Sequence, residues 1–157
     1  MQDIPREINP EQVIQALREG AEAFFGPFPV DAAYVYGSVV TGPVHPFSDV
    51  DVALLLDEEA LRDLSPYERL RLEADVELRI ADLTGIHYAD GRTINDAPIA
   101  WRGEVVLRGI CIYSRNERHR IIFETRTWKE YFDFRPVLER MCRELIARWR
   151  EELKVYG

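Results

Sequence analysis

Two short runs in this chain carry residues whose types and spacing could do chemistry: Gly37-Ser38, and Asp49-Val50-Asp51 after ten intervening residues. In an extended strand, residues i and i+2 point to the same face, so the two carboxylates project together. Side by side they repel strongly unless a positive charge sits between them. An oxygen donor set without His or Cys suits a hard cation, Mg2+ first, which completes its shell with water and phosphate oxygens. The Gly-Ser run supplies the complement. Gly37 has no Cβ, so backbone and phosphate can approach closely, and the amides after it form a donor-rich turn with the Ser38 hydroxyl. Carboxylates for metal beside amides for phosphate imply a nucleoside triphosphate and a phosphoryl or nucleotidyl transfer. Taken alone, Asp49 could be a turn residue and Asp51 an exposed strand residue; the pairing with Gly37-Ser38 is what favours chemistry.

Local patterns define the elements that must position these residues. Asn9-Pro10-Glu11-Gln12 reads as a helix start, followed by Val13/Ile14, Leu17, Ala21 and Phe24 at helical spacing until Gly26-Pro27. Ala32 to Tyr36 reads as a strand stopped by Gly37-Ser38, and Val50 to Leu56 as a second strand, apolar on both faces and therefore central. Ser65-Pro66-Tyr67-Glu68 is a capping box opening a helix to about Gly85. Ile86 to Asn95 is mixed and could hold a third strand; Asp96 to about Leu107 reads as a short helix ended by Gly109, and Ile110 to Tyr113 as a further strand. From Asn116 the pattern is helical, with one stripe of Ile121, Thr125, Trp128 and Phe132, and another of Leu138, Met141, Leu145, Trp149 and Leu153. Pro136 is expected to break or kink the two apart. The expected architecture is α/β (α+β): a short mixed sheet flanked by helices, with a core at about 30–115 and a helical tail at about 116–157 of one domain over 1–157.

With 157 residues, the chain is long enough to bury a sizeable core without disulfides or a structural metal. No apolar run approaches a membrane span, and Met1 to Glu7 lacks the apolar stretch of a signal peptide, so the expected location is cytoplasmic. Cys111 and Cys142 have neither C-x-x-C nor Cys/His spacing and read as buried thiols in a reducing compartment, not as zinc ligands or a disulfide. The net charge of −8 argues against a dedicated nucleic-acid binder. It divides into −11 over residues 1–114 and +3 over 115–157, so an acidic body carries a mildly basic tail, either a solvated helix face or a partner surface.

The pattern G-S-x(10)-D-x-D resembles the minimal nucleotidyltransferases of the DNA polymerase β-like superfamily, and is most similar to the MNT antitoxins paired with HEPN ribonuclease toxins. Ile94-Asn95-Asp96-Ala97-Pro98 resembles that family's L-N-x-A-P signature, and Arg108-Gly109-Ile110-Cys111-Ile112-Tyr113 its R-G-x-x-L-Y strand. Phe123-Glu124 and Tyr131-Phe132-Asp133-Phe134 are similar to its helical tail. The likeness spans about residues 30–150. It implies a nucleotidyltransferase fold and a third carboxylate five residues before the signature Asn, which lands on Asp90. Asp82 is the competing position, but sits where a solvated helix face is expected, whereas Asp90 could also belong to a hairpin turn. The implied set is Asp49, Asp51 and Asp90 as ligands of two Mg2+, with Asp90 also the base, and Gly37 and Ser38 binding the nucleotide, ATP.

The family often carries Arg or Lys after Gly-Ser; here the residues are Val39-Val40-Thr41. The only lysines are Lys129 and Lys154, so a phosphate-binding cation would have to be Arg92 or Arg102, each of which could instead be a surface residue. His45 lies between the two motif halves, as a turn residue or within reach of a nucleotide; His87 and His119 read as surface or core polar residues. Trp128, Tyr131, Phe132 and Phe134 could pack the tail, stack on a base or meet a partner. The resemblance implies an antitoxin enzyme that transfers AMP to a tyrosine hydroxyl of a HEPN toxin, and a hetero-oligomer with that toxin. The alternatives are a small-molecule nucleotidyltransferase of the aminoglycoside-modifying kind and a non-catalytic toxin-binding module.

Overall fold

Strands that are apolar on nearly every residue need cover on both faces, and the computed structural model, which describes residues 9–45 and 48–155, supplies it. β1 (Val30–Tyr36) and β2 (Val50–Leu56) pair antiparallel at the centre of a four-stranded sheet. β3 (Ala89–Thr93) runs parallel to β2, β4 (Ile110–Ser114) antiparallel to β1, and the order is β3-β2-β1-β4. The expected mixed sheet and central second strand are present. The Met1 to Glu7 segment, read for a signal peptide, lies outside the described residues, as do Pro46 and Phe47 of the loop joining the motif halves.

One face of the sheet, with Ala33, Val35, Val52 and Leu54, packs against α1 (Pro10–Glu19), α2 (Ala21–Phe25) and α5 (Pro66–Thr84) through Leu17, Phe24, Phe25, Val76 and Ile80. The other, with Ala32, Tyr34, Ala53 and Leu55, packs against α6 (Ile99–Arg108) and α7 (Glu117–Val155) through Val105 and Phe123. The helix read over residues 10–26 is divided at Gly20, where the Phe24 ring fills the space a Cβ would need. Both anticipated starts are capped: Asn9 accepts from Gln12 N at 3.2 Å, and Ser65 and Glu68 form a reciprocal capping box. The bond to Ser65 N holds the Glu68 carboxyl below its usual range.

The signature around Asn95 has a structural task. Its side-chain amide donates to Leu56 O and accepts from Leu56 N, both at 2.8 Å, fastening the end of β3 to the end of β2. Ile94 and Ala97 are buried beside it, and Pro98 starts α6. A short helix, α4 (Glu58–Asp63), links β2 to α5. On the outer side of β3, Glu73 Oε1 accepts from Thr93 N at 2.7 Å and Glu77 Oε1 from Gly91 N at 2.8 Å. These α5 carboxylates satisfy an edge that could otherwise pair with another chain. β3 is thus held in register from both sides.

The tail differs from expectation in two respects. α7 runs unbroken through Pro136 for 39 residues. Pro136 is exposed, and a helix rich in Arg, Glu and Leu on both sides of it continues despite the one lost bond. Second, the residues α7 buries are Phe123 and Thr127, with Tyr131 packed on Gly103, while Ile121, Trp128 and Phe132 face outward. Trp128 and Phe132 pack on each other at 5.4 Å. The helix is anchored by Glu124, which accepts from Tyr34 OH and Arg120, both at 2.9 Å. A second anchor is His119, whose Nδ1 lies 2.7 Å from the buried Asp31 and whose Nε2 lies 3.5 Å from Glu58. In the sequence His119 is an unremarkable polar residue. The cysteines expected to be buried are not: Cys142 is exposed on α7, whose distal part packs on nothing among the described residues, and Cys111 is half-buried on β4.

Removing the Asn95 clamp leaves the buried Leu56 N–H without a partner, a penalty of about 1–3 kcal/mol. Asn95→Ala is expected to lower unfolding free energy by that amount in urea titrations, with the m-value unchanged.

Candidate active site

Because β1 is antiparallel to β2 while β3 is parallel to it, the end of β1 and the beginnings of β2 and β3 meet at one end of the sheet. The five residues singled out for chemistry lie there. Tyr36 and Asp51 are register partners across β1 and β2, and Asp51 and Asp90 across β2 and β3. Asp49 lies two residues before Asp51, immediately ahead of β2. The count back from Asn95 thus reaches the carboxylate directly beside Asp51, whereas Asp82 is exposed on α5 and does not line the cavity beside Asp90.

Gly37 fixes how closely these groups pack. It has φ 76° and ψ −153°, a region that only glycine adopts readily, and a Cβ there would collide with Asp51 Oδ2. The carboxylate occupies the space a side chain would take, so Gly37 is required by Asp51 itself as well as by any approaching ligand. After it, the chain turns into α3 (Ser38–Thr41), in which Val40 N and Thr41 N donate to Gly37 O at 3.1 and 3.0 Å. The earlier amides of such a turn have no intrahelical acceptor to bond. The expected turn is thus a single turn of helix.

Electrostatics follow the geometry. Burial, then Asp90, then Asp49 push the Asp51 carboxyl above its ordinary value. Tyr36 is pushed up to about 12, first by burial and then by Asp51, so its hydroxyl stays neutral. Its ring packs on Trp101 of α6 at 6.0 Å. Arg92 brings positive charge to the outer carboxylate, with Nε 2.9 Å from Asp90 Oδ1. Among the described residues no three acidic, His or Cys side chains stand in metal-ligand arrangement as they are. The donor chemistry nevertheless fits a hard divalent cation: oxygen only, two carboxylates in cross-strand register and a third two residues away. One oxygen of Asp90, Oδ1, is meanwhile engaged by Arg92.

Asp49 and Asp90 also line a cavity of about 330 Å³ between β3 and α5, shared with Glu73, Glu77, His87 and Arg92. His87, which carries no signal in the sequence, and the Tyr36–Trp101 pair are the neighbours that sequence reasoning missed. Tyr36 is legible only as the residue before Gly-Ser at the strand end. Arg102, the other cation considered, is engaged elsewhere: it donates to Ala97 O and pairs with Glu130, both at 2.8 Å, tying α6 to α7. His45 is bonded to Ser48: Ser48 N donates to His45 O and His45 N to Ser48 Oγ, both at 2.9 Å.

A mixed sheet with carboxylates and a glycine turn gathered at one end holds donors suited to a hard cation beside amides suited to phosphate. The model of the family described as polymerase beta, nucleotidyltransferase matches residues 21–118, and the chain belongs to that family. It is a nucleotidyltransferase. A comparison with curated proteins finds no match. Solved structures with a similar fold include a toxin–antitoxin structure with AMP-PNP, at 19% identity and TM-score 0.57 over 88% of this chain and 99% of that one. The MntA–HepT toxin–antitoxin is similar at 17% identity and TM-score 0.52, over 90% of this chain and 99% of that one. A tri-AMPylated Shewanella oneidensis HEPN toxin in complex with MNT antitoxin is similar at 17% identity and TM-score 0.52, over 87% of this chain and 95% of that one. Among the described residues no helix is long and apolar enough to cross a membrane.

Two outcomes are expected. Gly37→Ala loses about 1–3 kcal/mol of stability in urea unfolding, because strain and the displaced Asp51 carboxylate act together. Asp51→Asn does the reverse in divalent-free buffer. A carboxyl whose folded value is raised leaves the fold most stable below the unfolded value of 3.8 and loses that stability as pH rises through the folded value. Asp51→Asn therefore melts above wild type at pH 7, with the gap closing as pH falls below the ordinary aspartate range.

Proposed function

We propose that this chain is a Mg2+-dependent adenylyltransferase that moves AMP from ATP to a tyrosine hydroxyl of a HEPN-type toxin, and thereby acts as its antitoxin. The observation that carries the reading is the gathering of Asp49, Asp51 and Asp90 beside the Gly37-Ser38 turn in a nucleotidyltransferase fold. The similarity to chains from toxin–antitoxin structures, one with AMP-PNP and one with AMPylated HEPN toxin, supports the choice of nucleotide and acceptor. So does the distal part of α7, where Met141, Leu145, Trp149 and Leu153 are exposed on a helix with nothing packed over them among the described residues, a surface suited to a protein partner.

In this reading the amides and hydroxyl at Gly37-Ser38 receive phosphate oxygens, and Asp49, Asp51 and Asp90 hold the metal. Mg2+ held there would supply the positive charge needed to polarise the α-phosphate and to offset that of the departing pyrophosphate. Asp90, at the outer edge of the cluster and open to the cavity beside β3, takes the proton of the attacking hydroxyl. The acceptor oxygen forms a bond to the α-phosphorus as the bond to the bridging oxygen of the β-phosphate breaks, giving adenylylated tyrosine and pyrophosphate. Tyr36 and Trp101 wall the opposite side of Asp51.

Incubation with α-labelled ATP, Mg2+ and the product of the neighbouring gene is expected to label a tyrosine of that product. Asp49→Asn or Asp51→Asn reduces labelling by at least about 100-fold, the usual scale for losing a group that stabilises transition-state charge. Asp90→Asn loses about 100- to 10,000-fold, and its residual rate rises with pH as hydroxide takes over from the missing base. Label on a small hydroxyl-bearing drug instead would favour the small-molecule reading. A tight toxin complex with no transfer would leave only a binding antitoxin.

A further inference from the structure

The Gly37-Ser38 turn continues into Val39, Val40 and Thr41 and so brings no cation of its own to a site built from three carboxylates. The two lysines, Lys129 and Lys154, lie on α7, and Arg102 is committed to Ala97 and Glu130. Among the described residues the guanidinium paired with Asp90 is that of Arg92. It sits two residues beyond Asp90 on β3, so the side chains share a face, and Nε lies 2.9 Å from Asp90 Oδ1.

That pair is built to exchange. Arg92 is 52% exposed and Asp90 38% exposed, and an ion pair open to water is weak. A divalent cation competes for the same oxygen with twice the charge. Among the described residues the contact uses Nε alone, which leaves the terminal nitrogens of the fork for a second partner. Those nitrogens are the part that recognises phosphate bidentately, and Arg92 lines the 330 Å³ cavity together with Asp49 and Asp90.

We propose that Arg92 is a positioning residue with two partners: Asp90 in the metal-free protein, and the phosphates of the nucleotide once Asp90 turns to a divalent cation. The proposal rests on the reading of Asp90 as a metal ligand. It makes metal and nucleotide binding mutually dependent. Metal alone must displace Arg92 from Asp90, whereas metal arriving with a triphosphate gives the displaced guanidinium a new partner, so the two ligands bind cooperatively. It also supplies the positive charge that Val39 to Thr41 omit.

The test is titration calorimetry of wild type, Arg92→Gln, Arg92→Lys and Asp51→Asn with two probes, MnCl2 alone and Mg·AMP-PNP. Arg92→Gln is expected to bind Mn2+ alone up to about 5-fold more tightly, since a surface pair no longer competes. The same variant binds Mg·AMP-PNP about 10- to 100-fold more weakly, the range for losing a hydrogen bond to a charged group, with KM for ATP rising more than kcat falls. Arg92→Lys recovers part of the nucleotide affinity. Opposite signs for the two probes separate this role from a structural one, which would weaken both together. Unchanged Mg·AMP-PNP affinity in Arg92→Gln, or Mn2+ binding no tighter than wild type, overturns the proposal. If Asp51→Asn meanwhile abolishes binding of both probes, the carboxylate site stands and only Arg92's role falls. Wild type that binds neither probe would sink both.

Discussion

Three carboxylates held at one end of a buried sheet repel one another, and the rest of the structure is arranged to keep them there. Asp51 and Asp90 are neighbours because β2 and β3 are parallel and in register. Left to electrostatics the edge strand would slip or fray, since its first residues place negative charge beside negative charge. The Asn95 clamp at the far end of β3, and the Glu73 and Glu77 contacts along its outer edge, hold the register against that repulsion. Gly37 then removes the one side chain that would push Asp51 back.

Acidic residues in this region thus do two jobs. Glu73 and Glu77 direct their charge to backbone amides, where each carboxylate accepts a hydrogen bond and stabilises the fold. Asp49, Asp51 and Asp90 instead crowd one another, and Asp51 carries the raised affinity for a proton that follows. Crowding of this kind, at a cluster that does not stabilise the sheet, is the expected mark of a site shaped for a ligand at the expense of the ligand-free fold. Arg92, held by one exposed contact, relieves the repulsion only in part.

Much of this was legible in the residues. The unbroken apolar runs of β1 and β2, the caps at Asn9 and Ser65 and the G-S-x(10)-D-x-D spacing are local signals, read within a window of a few residues. Asp90 was not legible on its own chemistry; only its distance from Asn95 in a resembling signature selected it, and the Asn95 clamp gives that distance a physical reason. What stayed hidden depends on contacts between distant segments. Arg92 and Arg102 look alike in sequence, and only the packing of α6 on α7 separates a tied guanidinium from one at the carboxylates. His119 finds Asp31 across 88 residues of chain, and no local pattern announces it. Pro136 is a local break signal, but its exposure on α7, which no local pattern reveals, lets the helix continue.

The central claim is that Asp49, Asp51 and Asp90 form one metal-binding centre facing the Gly37-Ser38 turn. Diffraction from crystals grown with Mn2+ and AMP-PNP, collected at the manganese edge, tests it most directly. The account predicts anomalous density within coordination distance of Asp51 and at least one of Asp49 and Asp90, with the phosphates of the nucleotide against Gly37 and Ser38. Nucleotide bound elsewhere, or manganese bound away from all three carboxylates, would contradict it.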